Sequence, residues 1–387
     1  MAENKQKKRP NVPPLRFPEF TEPWEQHLTT DYFEFKNGLN PDVKRFGTGV
    51  KFISVMDILN NRYISYDRII SSVEPKGDDL KDFGVNYGDI LFQRSSETLE
   101  DVGRANVYLD KRTAIFGGFV IRGKKIGNYD PLFFRYLLTC PTVRKRIIVK
   151  GAGAQHFNIG QDGLSKVHLS VPSEKEQKRI SDLLNLIDER IETQSKLIED
   201  LQQLKSALYQ RVFSSMHGQA VALSNIADII KGKQINGTEL FESGDYYVMN
   251  GGIVPSGYYN DFNTPANTIS ISEGGNSCGY VQFNDVPFWS GGHCYTLQIT
   301  NNQIGLRYLF HFLKYREQDI MALRIGSGLP NIQKKDLERF QILIPDVDKQ
   351  QRYAKFFDYL QHKEDIEVSI LNQWQLQKQY LLGQMFI

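Results

Sequence analysis

The sequence is poor in cysteine: Cys140, Cys278 and Cys294 are the only three in 387 residues, odd in number and widely spaced. That excludes a disulfide framework as the organising device and leads us to expect a reducing, cytoplasmic setting. No apolar run is long enough to span a bilayer and no secretory leader is evident, so no membrane partner is expected. Net charge is almost absent too. A formal value of +2 neither demands nor forbids a polyanionic partner and leaves that question to local clusters. The chain lacks a G-x-x-x-x-G-K-[ST] phosphate loop. It also lacks the Asn or Asp ahead of a Pro-Pro-aromatic triplet that adenine methylation requires; Asn11-Val12-Pro13-Pro14 is the nearest approach.

Fragments of catalytic motifs occur, each out of context. Gly275-Asn276-Ser277-Cys278-Gly279 fits G-x-S-x-G, but a nucleophile elbow runs from strand to helix, and here Tyr280-Val281-Gln282-Phe283 reads as another strand. The reading is a hairpin loop. Phe46-Gly47-Thr48-Gly49 precedes a strand instead of opening a helix, and is read as a turn. Pro41-Asp42 with Glu74-Pro75-Lys76 resembles a magnesium nuclease pattern, yet the proline argues against the strand such a site needs. His293-Cys294 with Cys278 has neither zinc spacing nor a fourth ligand. No catalytic and no metal-binding residues are assigned.

What is plentiful is periodicity. From Pro172 to Phe213, Ile180, Leu184, Ile187, Ile191, Ile198, Leu201, Leu208 and Val212 recur at steps of four and three, with Gln194 and Lys205 in the two remaining seam positions. Such a heptad seam predicts one helix, about 60 Å long at 1.5 Å per residue, that needs a partner. Ser173 and Glu176 form a capping-box pattern at its start. The partner is Pro345 to Phe386, which aligns without a gap at an offset of 173 residues and places Tyr353, Phe357, Leu360, Leu371, Trp374, Leu381 and Met385 on the same seam. Glu367 and Lys378 answer Gln194 and Lys205, polar positions that either fix the pairing or serve a partner. Glu364, opposite Ile191, breaks the seam. Asp346 supplies an N-cap, but Lys349 stands where the capping-box glutamate would be.

The repeat extends upstream. GAGAQHFNI matches GSGLPNI, Asn158-Ile159 matches Asn331-Ile332, and Val167, Leu169 and Val171 match Phe340, Ile342 and Ile344. Strand-like runs at Val50–Val55, Val85–Phe92, Ala105–Leu109 and Ala114–Arg122 are answered by Tyr246–Met249, Thr268–Ser272, Gly279–Phe283 and Cys294–Ile299. Helical segments follow at Pro131–Lys145 and Leu306–Met321, and Gly117-Gly118 corresponds to Gly291-Gly292. The expected fold is α+β: two similar mixed α/β domains separated by two long helices packed as an antiparallel coiled coil, in a pseudo-twofold tandem repeat. The boundaries are 1–14 for a disordered tail, 15–171 for the first domain, 172–217 for the first spacer helix, 218–344 for the second domain and 345–387 for the second helix.

This plan resembles the specificity subunit of type I restriction-modification systems. VPPLRFPEFTEPWEQHLT, YGDILFQRSS and GAGAQHFNIGQDGLSKVHLSVPSEKEQKRI carry the resemblance, which covers the chain from Leu15 to Phe386. It implies two target recognition domains, each reading one half of an asymmetric, bipartite site on double-stranded DNA. It also implies spacer helices that dock two methyltransferase subunits, with restriction and translocase subunits beyond them. S-adenosylmethionine, ATP and magnesium would belong to those partners and not to this chain, which would itself be no enzyme.

Residue types suited to phosphates and base edges cluster in loops: Lys36, Asn37, Lys44 and Arg45; Gln93, Arg94 and Ser95; Lys150, Gln155 and His156. In the second half Lys231, Lys233, Asn250, Glu273, Asn276, His293 and Arg324 take comparable places. Two other readings stay open from the residues alone, a free-standing DNA-modifying enzyme and a structural or adhesive repeat protein. Duplication of the spacer helix favours the DNA-reading module.

Overall fold

Both periodic stretches are helical, from Glu174 to Ser214 and from Val347 to Gln384. The computed structural model describes residues 11–153, 155–326, 328 and 330–387. The seam holds: Ile180, Leu184, Ile187 and Ile198 are buried, and Ile191, Leu201, Leu208 and Val212 are half-buried. In the second helix Phe357, Leu381 and Met385 are buried, and Tyr353, Leu360, Leu371 and Trp374 half-buried. Contacts divide the chain within the helices, not at their ends. One unit comprises the described residues up to Ser195 together with Ile370–Ile387, and the other is Lys196–Ser369. Each unit therefore owns one globular domain and a part of both long helices.

In unit 1, Ile180, Leu184 and Ile187 share a core with Leu381, Met385 and Phe386. Lys378 Nζ lies 2.5 Å from Asp188 Oδ1. In unit 2, Gln202 donates to Glu364 at 2.8 Å and Lys205 to Gln361 at 2.8 Å, a falling register that makes the pair antiparallel. Lys205 also pairs with Glu364. The two lysines that interrupt the apolar seam thus each meet an acid on the opposite helix, and Glu364, the seam's exception, is the acid that receives Lys205. A polar position of this kind fixes register at some cost in stability.

The helices bury a second face that heptad spacing does not reveal. Glu176, Gln177, Ser181 and Asp188 are buried beside the first domain, and Tyr209 and Phe213 beside the second. The expected capping box does not form. Glu176 turns its carboxylate to Arg16 Nε and Nη2, both at 2.7 Å, and to Trp24 Nε1 at 3.2 Å. A full ion pair with the N-terminal segment outcompetes a local backbone amide. At the second helix the N-cap is as expected, with Asp346 Oδ1 accepting from Lys349 N at 2.9 Å. Gln177 and Gln350, equivalent in the repeat, do matching work: each donates to the preceding proline carbonyl at 2.9 Å, and each accepts a backbone N–H from the domain, Asp130 at 3.0 Å and Gly305 at 2.8 Å.

Each domain centres on a four-stranded antiparallel sheet of one topology. In unit 1 the spatial order is 33–37, 120–125, 90–93, 105–107; in unit 2 it is 227–231, 294–299, 268–272, 281–284. A two-stranded ribbon, 25–28 with 168–171 or 219–222 with 341–344, ties each domain to the strand that leads into a long helix. Side sheets complete the domains: 72–73, 46–53, 114–116 and 84–85 in unit 1, and 257–259, 246–249 and 289–290 in unit 2. The unit 1 core gathers Trp24, Phe33, Phe133, Phe134 and Phe386, and that of unit 2 gathers Tyr209, Phe213, Phe312 and Phe357. Each such side chain contributes roughly 1.5–3 kcal/mol on burial.

Several boundaries differ from expectation. The runs 85–92 and 114–122 each split in two, at Gly88 (φ +92°) and at Gly117-Gly118. The helical segment 131–145 breaks where extended Cys140 precedes Pro141, which has no N–H to give, and 306–321 breaks at Arg316. Phe46-Gly47-Thr48-Gly49 is no turn but a bulge within strand 46–53, where Phe46 and Val50 both register with Val73. Of the expected tail, residues 1–10 lie outside the described residues. Residues 11–14 are placed: Asn11 accepts from Trp24 N at 2.8 Å and Pro13 is buried. All three cysteines are buried, which pushes the thiols of Cys140 and Cys294 up to about 11 and raises that of Cys278.

Candidate nucleic-acid interface

At one end of each four-stranded sheet the same backbone frame recurs. In unit 1 the central strand 90–93 exits into Arg94, whose N–H donates to Phe119 O at 2.9 Å and whose carbonyl accepts from Ile159 N at 3.0 Å. In unit 2 strand 268–272 exits into Glu273, whose N–H donates to His293 O at 2.9 Å and whose carbonyl accepts from Ile332 N at 2.9 Å. The neighbouring edge strands end alike. Gly38 N donates to Val120 O and Gly232 N to Cys294 O. Neither glycine tolerates a side chain, since a Cβ would stand 2.0 Å from Gly117 O or 2.2 Å from Gly291 O. The equivalences that follow are Asn37 with Lys231, Arg94 with Glu273, Phe119 with His293 and Asn158 with Asn331.

Unit 1 brings together Arg94, Ser95 and the 150–158 loop. Arg94 Nη1 donates to Gly118 O at 3.3 Å, Ser95 pairs across the 95–96 and 157–158 ribbon with Asn158, and Gln155 and His156 are exposed in the same loop. Lys150, also exposed, lies against Gly163, whose Cβ would be 3.3 Å from Lys150 Cβ. Asn37 is exposed at the end of its strand, beside Ile121. Lys36, one residue earlier, pairs with Asp82 at 3.1 Å and sits 4.9 Å from the Phe83 ring. Gln93 is buried within the sheet, its amide nitrogen donating to Ser95 O at 2.9 Å. Lys44 and Arg45 belong to the side sheet region; Lys44 is exposed, while Arg45 clamps the Glu74 carbonyl at 2.8 Å and pairs with Asp79.

Unit 2 links its candidates more tightly. Lys231 Nζ donates to Glu273 Oε1 at 2.6 Å, Tyr295 OH to the same oxygen at 3.0 Å, and His293 Nδ1 lies 3.8 Å from Oε2. Asn250 Oδ1 accepts from His293 N at 3.1 Å. Asn276 is exposed in the 274–279 turn and Arg324 beside the Ile325–Asn331 bridge. Lys233 is exposed, its carbonyl accepting from Trp289 Nε1 at 2.8 Å. The G-x-S-x-G turn leads straight into strand 281–284, so it is a hairpin loop as read.

Phe119, 68% exposed, and Tyr295 escaped the sequence reading. The double glycines at 117–118 and 291–292 carry the signal for Phe119: the residue after each pair occupies the same place, and in the second copy it is His293.

A family model for the type I restriction modification DNA specificity domain matches twice, over residues 21–203 and 219–374. The chain belongs to that family. Among relatives, a type I specificity subunit of Mycoplasma pneumoniae is 36% identical over 134 residues, 34% of this chain and 36% of that protein. One from Mycoplasma genitalium is 27% identical over 228 residues, 53% and 58% of the two chains. These two matches thus span about a third and somewhat over half of the relatives' lengths. The specificity subunit of a Methanocaldococcus jannaschii type I restriction enzyme is 22% identical over 90% of this chain and 89% of that one. In fold, the crystal structure of a type I S subunit from M. genitalium covers 97% of this chain and 99% of its own, with TM-score 0.66 at 20% identity.

Proposed function

We propose that this chain is the DNA-reading subunit of a type I restriction-modification complex, each globular domain reading one half of a bipartite, asymmetric site. The observation that supports this reading most is the duplicated sheet end, where one hydrogen-bonded frame presents different side chains: Arg94, Phe119 and Asn37 against Glu273, His293 and Lys231. Identical frames with different readers suit two unlike half-sites joined in one chain.

In this reading Lys44, Lys150, Gln155, His156, Lys233, Asn276 and Arg324, all exposed, meet phosphates and base edges around each frame, and Arg45 holds its loop in shape. The long helices space the domains and receive two methyltransferase subunits. Exposed Leu186, Leu376 and Tyr380 in unit 1, and Leu204, Phe356 and Tyr359 in unit 2, give them apolar outer faces for that purpose. Methylation of adenine, ATP-driven translocation and cleavage belong to partner subunits, with S-adenosylmethionine, ATP and magnesium bound there. No described helix is long and apolar enough to cross a membrane, and we place the complex in the cytoplasm.

Methylome sequencing of a strain with and without the chain tests this: a split motif should appear only with it. Exchanging residues 20–170 for another recognition domain should alter one half of the motif. If both halves change, or neither, one domain per half-site is wrong. Residues inserted within one long helix should change the gap between the halves.

A further inference from the structure

Glu273 is a frame residue whose carboxylate is only half used. Its carboxylate is 10% exposed, and Oε1 is saturated by Lys231 at 2.6 Å and the Tyr295 hydroxyl at 3.0 Å. Oε2 is buried and accepts no hydrogen bond. A buried carboxylate oxygen without a donor is costly, and native structures rarely keep one without a reason. The main chain that carries it is firmly held, and Lys231 and Tyr295 orient the carboxylate through Oε1. Glu273 N donates to His293 O, Glu273 O accepts from Ile332 N and from Cys278 Sγ at 2.9 Å, and Gly274 bridges to Asn331. His293 Nδ1 stands 3.8 Å from Oε2, on a side chain 62% exposed and therefore able to move aside.

We propose that Glu273 Oε2 is a specificity-determining acceptor in unit 2 for an exocyclic amino group, cytosine N4 or adenine N6, on a base edge of its half-site. The inference rests on the DNA-reading function above and deepens it. A carboxylate accepts from the amino-bearing edge and repels the carbonyl edges of guanine and thymine, whereas the equivalent Arg94 of unit 1 is a donor suited to guanine O6 and N7. The matched positions thus carry opposite polarity, and the two half-sites differ at the matched base. Lys231 is a positioning residue: it neutralises the carboxylate and fixes Oε1, leaving Oε2 as the reading atom. His293 gates access to it.

Glu273→Gln isolates the reading atom. The amide oxygen still accepts from Lys231 and Tyr295, and the NH2 replaces the acceptor at Oε2 with a donor. The wild-type chain and E273Q, each assembled with its methyltransferase partners, are used to select from a duplex library randomised in both half-sites. E273Q should move one position of the unit 2 half-site from an amino-bearing to a carbonyl-bearing base by at least tenfold, the size expected of one good hydrogen-bonded pair, and leave the other half unchanged. His293→Ala, at an exposed side chain that does not threaten folding, should lower discrimination at that same position. If the wild type selects a split motif and both variants select the identical one, Glu273 only braces the sheet and the inference is overturned. A change confined to the unit 1 half also overturns it. If the wild type selects no motif, it is the DNA-reading function itself that fails.

Discussion

The two units fasten their domains to the long helices with one device made from different residues. In unit 1, Asp188 of the first helix accepts from the Tyr136 hydroxyl at 2.8 Å and from Arg135 at 3.2 Å, and also meets Lys378. In unit 2, Asp358 of the second helix accepts from His311 Nε2 at 2.7 Å and is paired with Arg307. Both rings are fully buried, and the His311 Nδ1 that remains accepts from Tyr209 at 2.8 Å. Burial raises the Tyr136 hydroxyl far out of the accessible range, and burial lowers His311 to about 4 even though Asp358 pulls the other way. Similar chemistry therefore gives one joint that only strong acid disturbs and one that weak acid already reaches.

Breaking the unit 1 joint has the largest expected effect. Asp188→Ala leaves the half-buried Lys378 and Arg135 without their buried acid and should cost about 3 kcal/mol, read as a lowered denaturant midpoint. Burial raises the Asp188 carboxyl, but Arg135 and Lys378 outweigh that and hold it below the ordinary carboxylate range. Its contribution is thus complete at neutral pH and is lost only as strong acid protonates it in the folded state.

The pH response of the unit 2 joint comes next. An unfolded His311 takes up a proton below about 6.5, while the folded one stays neutral to about 4. Stability should be level above pH 6.5 and fall by roughly 3 kcal/mol between 6.5 and 4 from this group. His311→Gln should flatten that segment of a stability-against-pH curve. A curve unchanged by the substitution would mean that His311 is not the source.

A smaller contrast lies at the helix starts. Glu176→Gln removes the charge that Arg16 and Trp24 share and should cost about 2 kcal/mol, whereas the fully exposed Lys349→Ala in unit 2 should leave the unfolding midpoint where it is. Smallest of all is Ser277→Ala, expected to leave the methylation pattern of the assembled complex unaltered. Loss of modification would return Ser277 to a catalytic role.

What was legible in the sequence was periodic or repeated. Seam residues such as Leu184 and Phe357 announce themselves by spacing, and strands 268–272 and 294–299 match the reading residue for residue. What escaped depends on partners distant in the chain. Glu176 reads as a local cap because Arg16, 160 residues away, leaves no trace in the local pattern. Arg45 and Gln93 read as free loop donors until the fold supplies Glu74, Asp79 and the surrounding sheet. Opposite polarity at Arg94 and Glu273 emerged only when hydrogen-bond register, not sequence alignment, set the equivalence.

The three buried thiols offer a clock for each unit. Cys140 sits in unit 1 and Cys278 and Cys294 in unit 2, all shielded and all with raised pKa. A thiol reagent can reach them only during transient opening. The labelling rate of Cys140 against that of the other pair therefore times the breathing of one recognition domain against its twin, without a single engineered probe.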